Sequence, residues 1–195
     1  MLFTKRLTLL LGALFFFSIL KGQSPPGNAF TFDGDNDYFT ITNTSKLNFT
    51  SAITLEAWVR MSGSGSWSQI ISKYTDAGLC LRRSSSSNKI CFDAAGVEVT
   101  STTSLVQGTW YHIAGVYNGN TVTIYINGVA EAVQVASTSL TYGSNTYSYL
   151  IGGTSWNNRC WNGAIDEVRI WNVARSQSEL ISGMYNELIP VVRAW

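Results

Sequence analysis

The chain has 195 residues, with 13 Lys and Arg against 12 Asp and Glu, so its formal charge of +1 gives no electrostatic reason to bind nucleic acid or an anionic membrane. Only 13% of it is charged, and 17 glycines among many Thr, Ser, Tyr and Trp favour strands and turns over helices.

At the N-terminus Lys5 and Arg6 precede an uncharged, mostly apolar run from Leu7 to Leu20, followed by Lys21 and the polar "SPPG". The run is short for a membrane span and reads as a secretory signal peptide over 1–22. An uncleaved anchor is the alternative, because Leu20 and Gly22 make a poor small-x-small cleavage site. Cleavage removes Lys5, Arg6 and Lys21 and leaves a formal charge of −2, with no membrane insertion afterwards. Residues 23–27 then read as a linker and 28–195 as one domain, long enough for a proper core.

Alternating runs follow, punctuated by Gly, Asn and Asp. "AFTF" puts Phe30 and Phe32 on one side and stops at "DGDND". "AITLEAWVR" sets Ile53, Leu55, Ala57 and Val59 against Thr54, Glu56, Trp58 and Arg60, the pattern of a half-buried strand. "SQIISKY", "GLCLRR", "KICFDAAG", "WYHIAGVY" and "TVTIYI" continue the series. The Asn127-Gly128 pair signals a hairpin, and a strict two-residue loop there would set Glu131 opposite Ile124, so a bulge or shifted register is expected. "YSYLIGG" and "GAIDEVRIWN" supply two late strands. Ser176 and Glu179 form a capping box for a short helix ending before Pro190, and "VVRAW" reads as a last strand. The sum is an all-β, antiparallel sandwich or barrel with one short C-terminal helix.

"GAIDEVRIWN" poses a problem of its own. Strict alternation puts Asp166 on the face of Val168 and Ile170, with Glu167, Arg169 and Trp171 opposite. An ionised carboxylate on an apolar face needs hydrogen bonds, an ion-pair partner, a metal or a place at the strand's edge.

Three cysteines stand in a chain read as exported, where disulfides are permitted. If the tip of "CLRRSSSSNKIC" is centred between Ser85 and Ser86, Arg83 faces Asn88, Leu81 faces Ile90 and Cys80 faces Cys91, close enough for a bridge. Two buried thiols are the alternative. Cys160 is left over in either case.

Taken together and in order, "AFTFDGDNDYFTI", "ITLEAWVR", "GTWYHIAGVYNGNTVTIYINGV" and "WNGAIDEVRIWNVARSQSEL" resemble the laminin G-like modules of the concanavalin A-like lectin and glucanase superfamily. The resemblance implies a two-sheet antiparallel jelly roll, secreted or at the cell surface, acting as a binding or adhesive module and sometimes attached to a glycoside hydrolase or protease domain. It further implies a structural calcium ion, with Asp166 giving a carboxylate oxygen and the turn around Asp33 and Gly34 the remaining ligands. Calcium accepts such mixed oxygen sets, main-chain carbonyls included. The alternative for Asp166 is hydrogen bonding to nearby amides or pairing with an Arg. An EF-hand is excluded, because Tyr38 stands where the turn glycine belongs and Thr44 where a bidentate Glu belongs.

Catalysis has little support in the residues. The superfamily's glucanases carry three acids in a tight run on one strand face, and no such run occurs here. The only histidine, His112, lies in a strand pattern with no nucleophile elbow near a serine, and phosphate loops and zinc spacings are absent. What remains is binding. Trp67, Tyr142, Trp156 and Trp161, the last two flanking Asn157 and Arg159, put aromatic rings beside amide and guanidinium groups. Such rings can stack on the C–H faces of a glycan, form a hot spot for an extracellular protein, or simply pack.

Overall fold

The computed structural model describes residues 25, 27–42, 47–73, 78–141, 147–154 and 159–187. The leader at 1–22 and the tail strand expected at 191–195 lie outside them. Twelve strands and one helix follow in chain order: β1 (Phe30–Asp33), β2 (Phe39–Ile41), β3 (Ile53–Met61), β4 (Gln69–Lys73), β5 (Leu79–Arg83), β6 (Lys89–Ala94), β7 (Val97–Ser104), β8 (Trp110–Tyr117), β9 (Thr121–Ile126), β10 (Val129–Val135), β11 (Tyr149–Ile151), β12 (Asn162–Trp171) and α1 (Gln177–Gly183). They form two six-stranded antiparallel sheets, β1-β12-β3-β8-β9-β10 and β2-β11-β4-β5-β6-β7, as expected of a jelly roll.

Alternation explains the core. Ile53, Leu55, Ala57, Val59 and Met61 of β3 face Leu79, Leu81, Ile90, Phe92 and Val99 of the second sheet, all essentially buried. Sheet-to-sheet contact is close enough to require a glycine: a Cβ at Gly115 of β8 would sit 2.3 Å from the Phe92 ring. Phe32 of β1 makes the same kind of contact with Gly152 just after β11, at 2.1 Å, which ties the two sheets together at their edges. Truncating a ring so enclosed costs about 3–5 kcal/mol.

β3 departs from the half-buried expectation, because Thr54, Glu56 and Trp58 on its other face are also buried. The C-terminal segment covers them. Leu180 of α1 packs on Ala114 and Val116, and the capping box at Ser176 and Glu179 that starts the helix is present as predicted. The Asn127-Gly128 turn has both residues at positive φ, 50° and 77°, as a type I′ turn demands. The expected bulge follows at Glu131, between Ala130 and Ala132. It swings the Glu131 carboxylate onto the Thr103 amide at 2.8 Å, joining β10 to β7.

The expected Cys80–Cys91 bridge is overturned. The β5–β6 register pairs Arg83 with Ile90, Arg82 with Cys91 and Cys80 with Asp93, and all three cysteines are free. The hairpin closes with Ser84 N donating to Lys89 O at 2.8 Å and Arg83 Nη2 donating to Asn88 Oδ1 at 2.6 Å. That moves the tip one residue along, so the pairing slips by two. Faces are preserved, but the two cysteines become diagonal neighbours, a relation that puts residues roughly 7–8 Å apart and beyond ordinary disulfide reach.

Candidate ligand-binding face

The acid at Asp166 is answered by a bulge. On β12, Asp166 pairs with Trp58 and Arg169 with Glu56, so one extra residue is inserted between them, with Glu167 in the left-handed region at φ 49°. Alternation therefore breaks. Val168 and Ile170 turn to the core, while Asp166, Arg169 and Trp171 stand together on the outer face of the first sheet, contrary to the strict reading. Asp166 Oδ1 accepts from the Glu167 amide at 2.8 Å, and its Oδ2 is buried without a hydrogen-bond partner. Burial, with the charges of Glu167 and Glu187, holds this carboxyl above the usual range despite that amide and Arg169.

The structure does not bring the predicted calcium ligands together. Asp33 pairs with Asn162, four residues from Asp166 along β12, or roughly 13 Å at strand rise. The Asp33 carbonyl takes Asn162 Nδ2 at 2.8 Å, and its carboxylate takes the Asp35 amide in a local turn. Gly34 sits beside it at φ 90°, against the Asn162 side chain. Among the described residues no cluster of three or more His, Cys, Asp or Glu could hold a metal ion. Asp166 alone fits the role, through its partnerless oxygen.

Next to Asp166 lies an ionic cluster sealed by the C-terminal segment. Glu56 receives Trp171 Nε1 at 2.7 Å, His112 Nε2 lies 3.2 Å from it and Arg169 Nη1 3.6 Å. Arg169 also reaches Glu167 at 2.6 Å, the Gly183 carbonyl at 2.9 Å and the Asn186 carbonyl, while Trp58 Nε1 donates to the Met184 carbonyl at 2.7 Å. Burial pushes Glu56 up, but the His112 and Trp171 hydrogen bonds and the His112 and Arg169 charges outweigh it and hold the carboxyl below its ordinary value. At 2% and 3% side-chain exposure, His112 and Glu56 are sealed from solvent, and Arg169 and Trp58 carry the bonds to the C-terminal segment.

The outer face of the second sheet is arranged differently. Two cross-strand rows stand there, Gln69–Arg82–Cys91–Thr100 and Ser72–Cys80–Asp93–Glu98. Arg82 pairs with Asp93 at 2.8 Å and with Glu98, and its Nη1 is left without an acceptor. Over its guanidinium lies the Trp67 ring, 4.1 Å away, with Arg159 5.8 Å from the same ring. Trp67 is held in the left-handed region at φ 61°, a conformation that costs a bulky residue about 1–2 kcal/mol and marks a position fixed for a reason beyond chain economy. Its loop is pinned by Ser66 Oγ to the Ser85 carbonyl at 2.8 Å and by the Gln69 amide to the Arg159 carbonyl at 2.9 Å.

Of the predicted ligand residues, the structure thus brings together Trp67 and Arg159. Trp161 is 1% exposed and belongs to the core. Tyr142, Trp156 and Asn157 lie outside the described residues. Arg82, Asp93 and Glu98 were not singled out from the sequence, although "GLCLRR" and "KICFDA" alternate Leu79, Leu81, Ile90 and Phe92 inward and so necessarily send Arg82 and Asp93 outward.

A concavity of about 310 Å³ opens where β1 and β2 border their sheets, lined by Phe30, Phe32, Phe39, Ile151, Ile165 and Val168 with Asp166 and Glu167 at the bulge. Phe30 and Phe39 meet edge to face, 4.8 Å between ring centres, and are 61% and 45% exposed.

Residues 33–181 match the Laminin_G_3 family of the concanavalin A-like lectin/glucanases superfamily. The chain belongs to this family. Among curated proteins it is similar to mouse pappalysin-1, 26% identical over 184 residues, a match that covers 83% of this chain and 11% of that protein. Among solved structures it resembles a candidate carbohydrate-binding protein from Bacteroides ovatus, with 25% identity and a TM-score of 0.68 over 80% of this chain and 46% of the other. It also resembles domain 4 of an extracellular GH43 arabinanase from Geobacillus stearothermophilus, in complex with arabinotriose, at 17% identity and a TM-score of 0.65 over 82% and 77% of the two chains. This last likeness shows the fold. A Laminin_G_3 chain is thus of the lectin and carbohydrate-binding fold type, and it spans a small part of the curated relative it matches.

Proposed function

We propose that this chain is a noncatalytic carbohydrate-binding or adhesive module that works outside the cell, secreted or at its surface. The observation that carries the reading is Trp67, a half-buried indole fixed in a strained backbone conformation over Arg82, beside Asp93, Glu98 and Arg159 on one sheet face. An aromatic plane with charged hydrogen-bonding groups at its edge is what a sugar ring needs: a surface for its C–H face and partners for its hydroxyls. The names of the similar proteins from Bacteroides ovatus and Geobacillus stearothermophilus point the same way, and the second is described as extracellular. The apolar N-terminal run supports export, and no helix among the described residues is long and apolar enough to cross a membrane.

Catalysis is not part of this reading. The carboxylates of the exposed face share one guanidinium, and the buried Glu56 and His112 lie under the helix. Calcium, when bound, would neutralise the seam at Asp166, whose buried Oδ2 lacks a partner; Asp33 and Gly34 do not belong to that set.

A glycan array probed with and without calcium tests the proposal. Binding to at least one saccharide class, lost in Trp67→Ala and retained in Trp171→Phe on the opposite face, is the expected result. A blank array for the folded wild-type protein in both buffers refutes it. The second reading, an adhesive module that grips an extracellular protein, is favoured by the exposed Phe30 and Phe39 at the edge concavity.

A further inference from the structure

On the candidate face one guanidinium stands between two carboxylates. Arg82, 5% exposed, gives its Nε and Nη2 to Asp93 at 3.0 and 2.8 Å and its Nη2 to Glu98 as well. Those contacts use the edge of the guanidinium that would clasp a carboxylate with two parallel bonds. Only Nη1 is left without an acceptor, and it is buried, so this guanidinium offers an arriving acid no fork. The Trp67 ring covers the plane of this guanidinium at 4.1 Å, so stacking by a ligand is on the indole. At the rim stands Glu98, its side chain 37% exposed, and next to it Asp93 at 16%. A group arriving beside Trp67 therefore meets two carboxylates and a guanidinium already compensated by them.

From this we infer that the Trp67 face selects uncharged saccharides and rejects acidic ones, with Glu98 the residue that enforces the difference. The inference rests on the carbohydrate-binding reading above and adds the ligand class to it. A uronate or sialate carboxylate would have to approach Glu98 and Asp93, whose shared guanidinium lies buried beneath the indole, whereas hydroxyls donate to the same two carboxylates. Arg159 stands farther from the indole than Arg82 does, at 5.8 Å against 4.1 Å.

The test uses matched pairs that differ only in charge: oligogalacturonate and its full methyl ester, sialyllactose and lactose, and xylo-oligosaccharides with and without glucuronate. Titration calorimetry at low salt should show that whichever pair binds does so through its neutral member, at least about tenfold tighter than the acidic one, with the gap narrowing as salt is raised. Glu98→Gln should close most of that gap by strengthening the acidic member, an effect that loss of structure could not produce. Equal or tighter binding of the acidic member by the wild-type protein, or a gap unmoved by Glu98→Gln, overturns the inference and leaves carbohydrate binding standing. No binding by any member of any pair, with the protein shown folded by its thermal transition, overturns the inference together with the reading it rests on.

Discussion

Each outer face of this sandwich has an arginine between carboxylates, and the two clusters have opposite fates. Arg169 bridges Glu56 and Glu167 under the C-terminal segment, where Glu56 is 3% exposed and every neighbour is a structural group. Arg82 bridges Asp93 and Glu98 under one indole, where Glu98 remains 37% exposed. The same side-chain chemistry serves as a clamp where the chain returns to cover it. Left at the surface, it is the patch we propose for recognition.

The sharpest way to break this comparison is to remove each arginine. Arg169→Met leaves the buried Glu56 with only Trp171 and His112, and it frees Glu167 and the carbonyls of Gly183 and Asn186, so it should cost about 3–5 kcal/mol, the range for breaking a buried ion pair. Arg82→Met leaves two carboxylates that water can reach, and about 1–2 kcal/mol is expected. Urea unfolding measures both. Equal losses would mean that the exposed cluster is a clamp too.

A pH series sharpens the first face further, because two of its acids shift in opposite directions. Glu56 is held below its ordinary value, so its contribution is present above the unfolded pKa, near 4.3, and disappears as pH falls through the lower folded value. The deficit of Glu56→Gln should accordingly be full at neutral pH and shrink in acid. Asp166 is held above its ordinary value by burial first, which makes the ionised form a cost at neutral pH that lapses as pH falls below the unfolded value, near 3.9. Asp166→Asn should thus stabilise the calcium-free protein at pH 7 by an amount that vanishes toward pH 3. Millimolar calcium should reverse that order if the ion sits at Asp166, and a variant less stable in both buffers would remove Asp166 from the account of the seam.

How much of this was legible beforehand depends on whether a feature obeys local periodicity. Core positions such as Leu55, Phe92 and Ile124 follow from alternation, and the hairpin turn and helix cap from their residue types. β7, rich in Thr and Ser, has too few apolar residues for its alternation to register. Asp166 was placed on the wrong face because one bulge residue, Glu167, reverses everything after it, and nothing local to "IDEVRI" forces a left-handed glutamate. The candidate face needed a long-range fact, the stacking of a loop tryptophan on an arginine 15 positions later. Trp67 was visible as an aromatic in a Gly/Ser loop, but its partner became visible only once β4, β5 and β6 had their register.

Trp67 gives a smaller effect on stability and a large one on binding. Trp67→Gly removes a cation–π contact of about 0.5–2 kcal/mol and also a backbone penalty of about 1–2 kcal/mol, since glycine accepts φ 61° freely. The two nearly cancel, so the thermal midpoint should hardly move while saccharide affinity falls by at least about tenfold. A large drop in the midpoint would recast the indole as a packing residue like Trp161.

The smallest expected effect is none at all, and it concerns the thiols beside Arg82. Cys80 and Cys91 are diagonal across β5 and β6, and burial first, with the Asp93 charge for Cys80, raises both thiols above their ordinary value and keeps them protonated. A protonated, enclosed thiol reacts slowly, so export into an oxidising compartment does not by itself join them. Dithiothreitol should leave the thermal midpoint where it is, and all three cysteines should titrate once the chain is unfolded. A bridge closing so short a loop would contribute about 2–3 kcal/mol, and reducing it would lower the midpoint by roughly 4–12 °C. A drop of that size would show that the hairpin slips back by two residues to oppose Cys80 and Cys91. Arg82 would then leave its place opposite Cys91, and the recognition patch proposed around it would have to be redrawn.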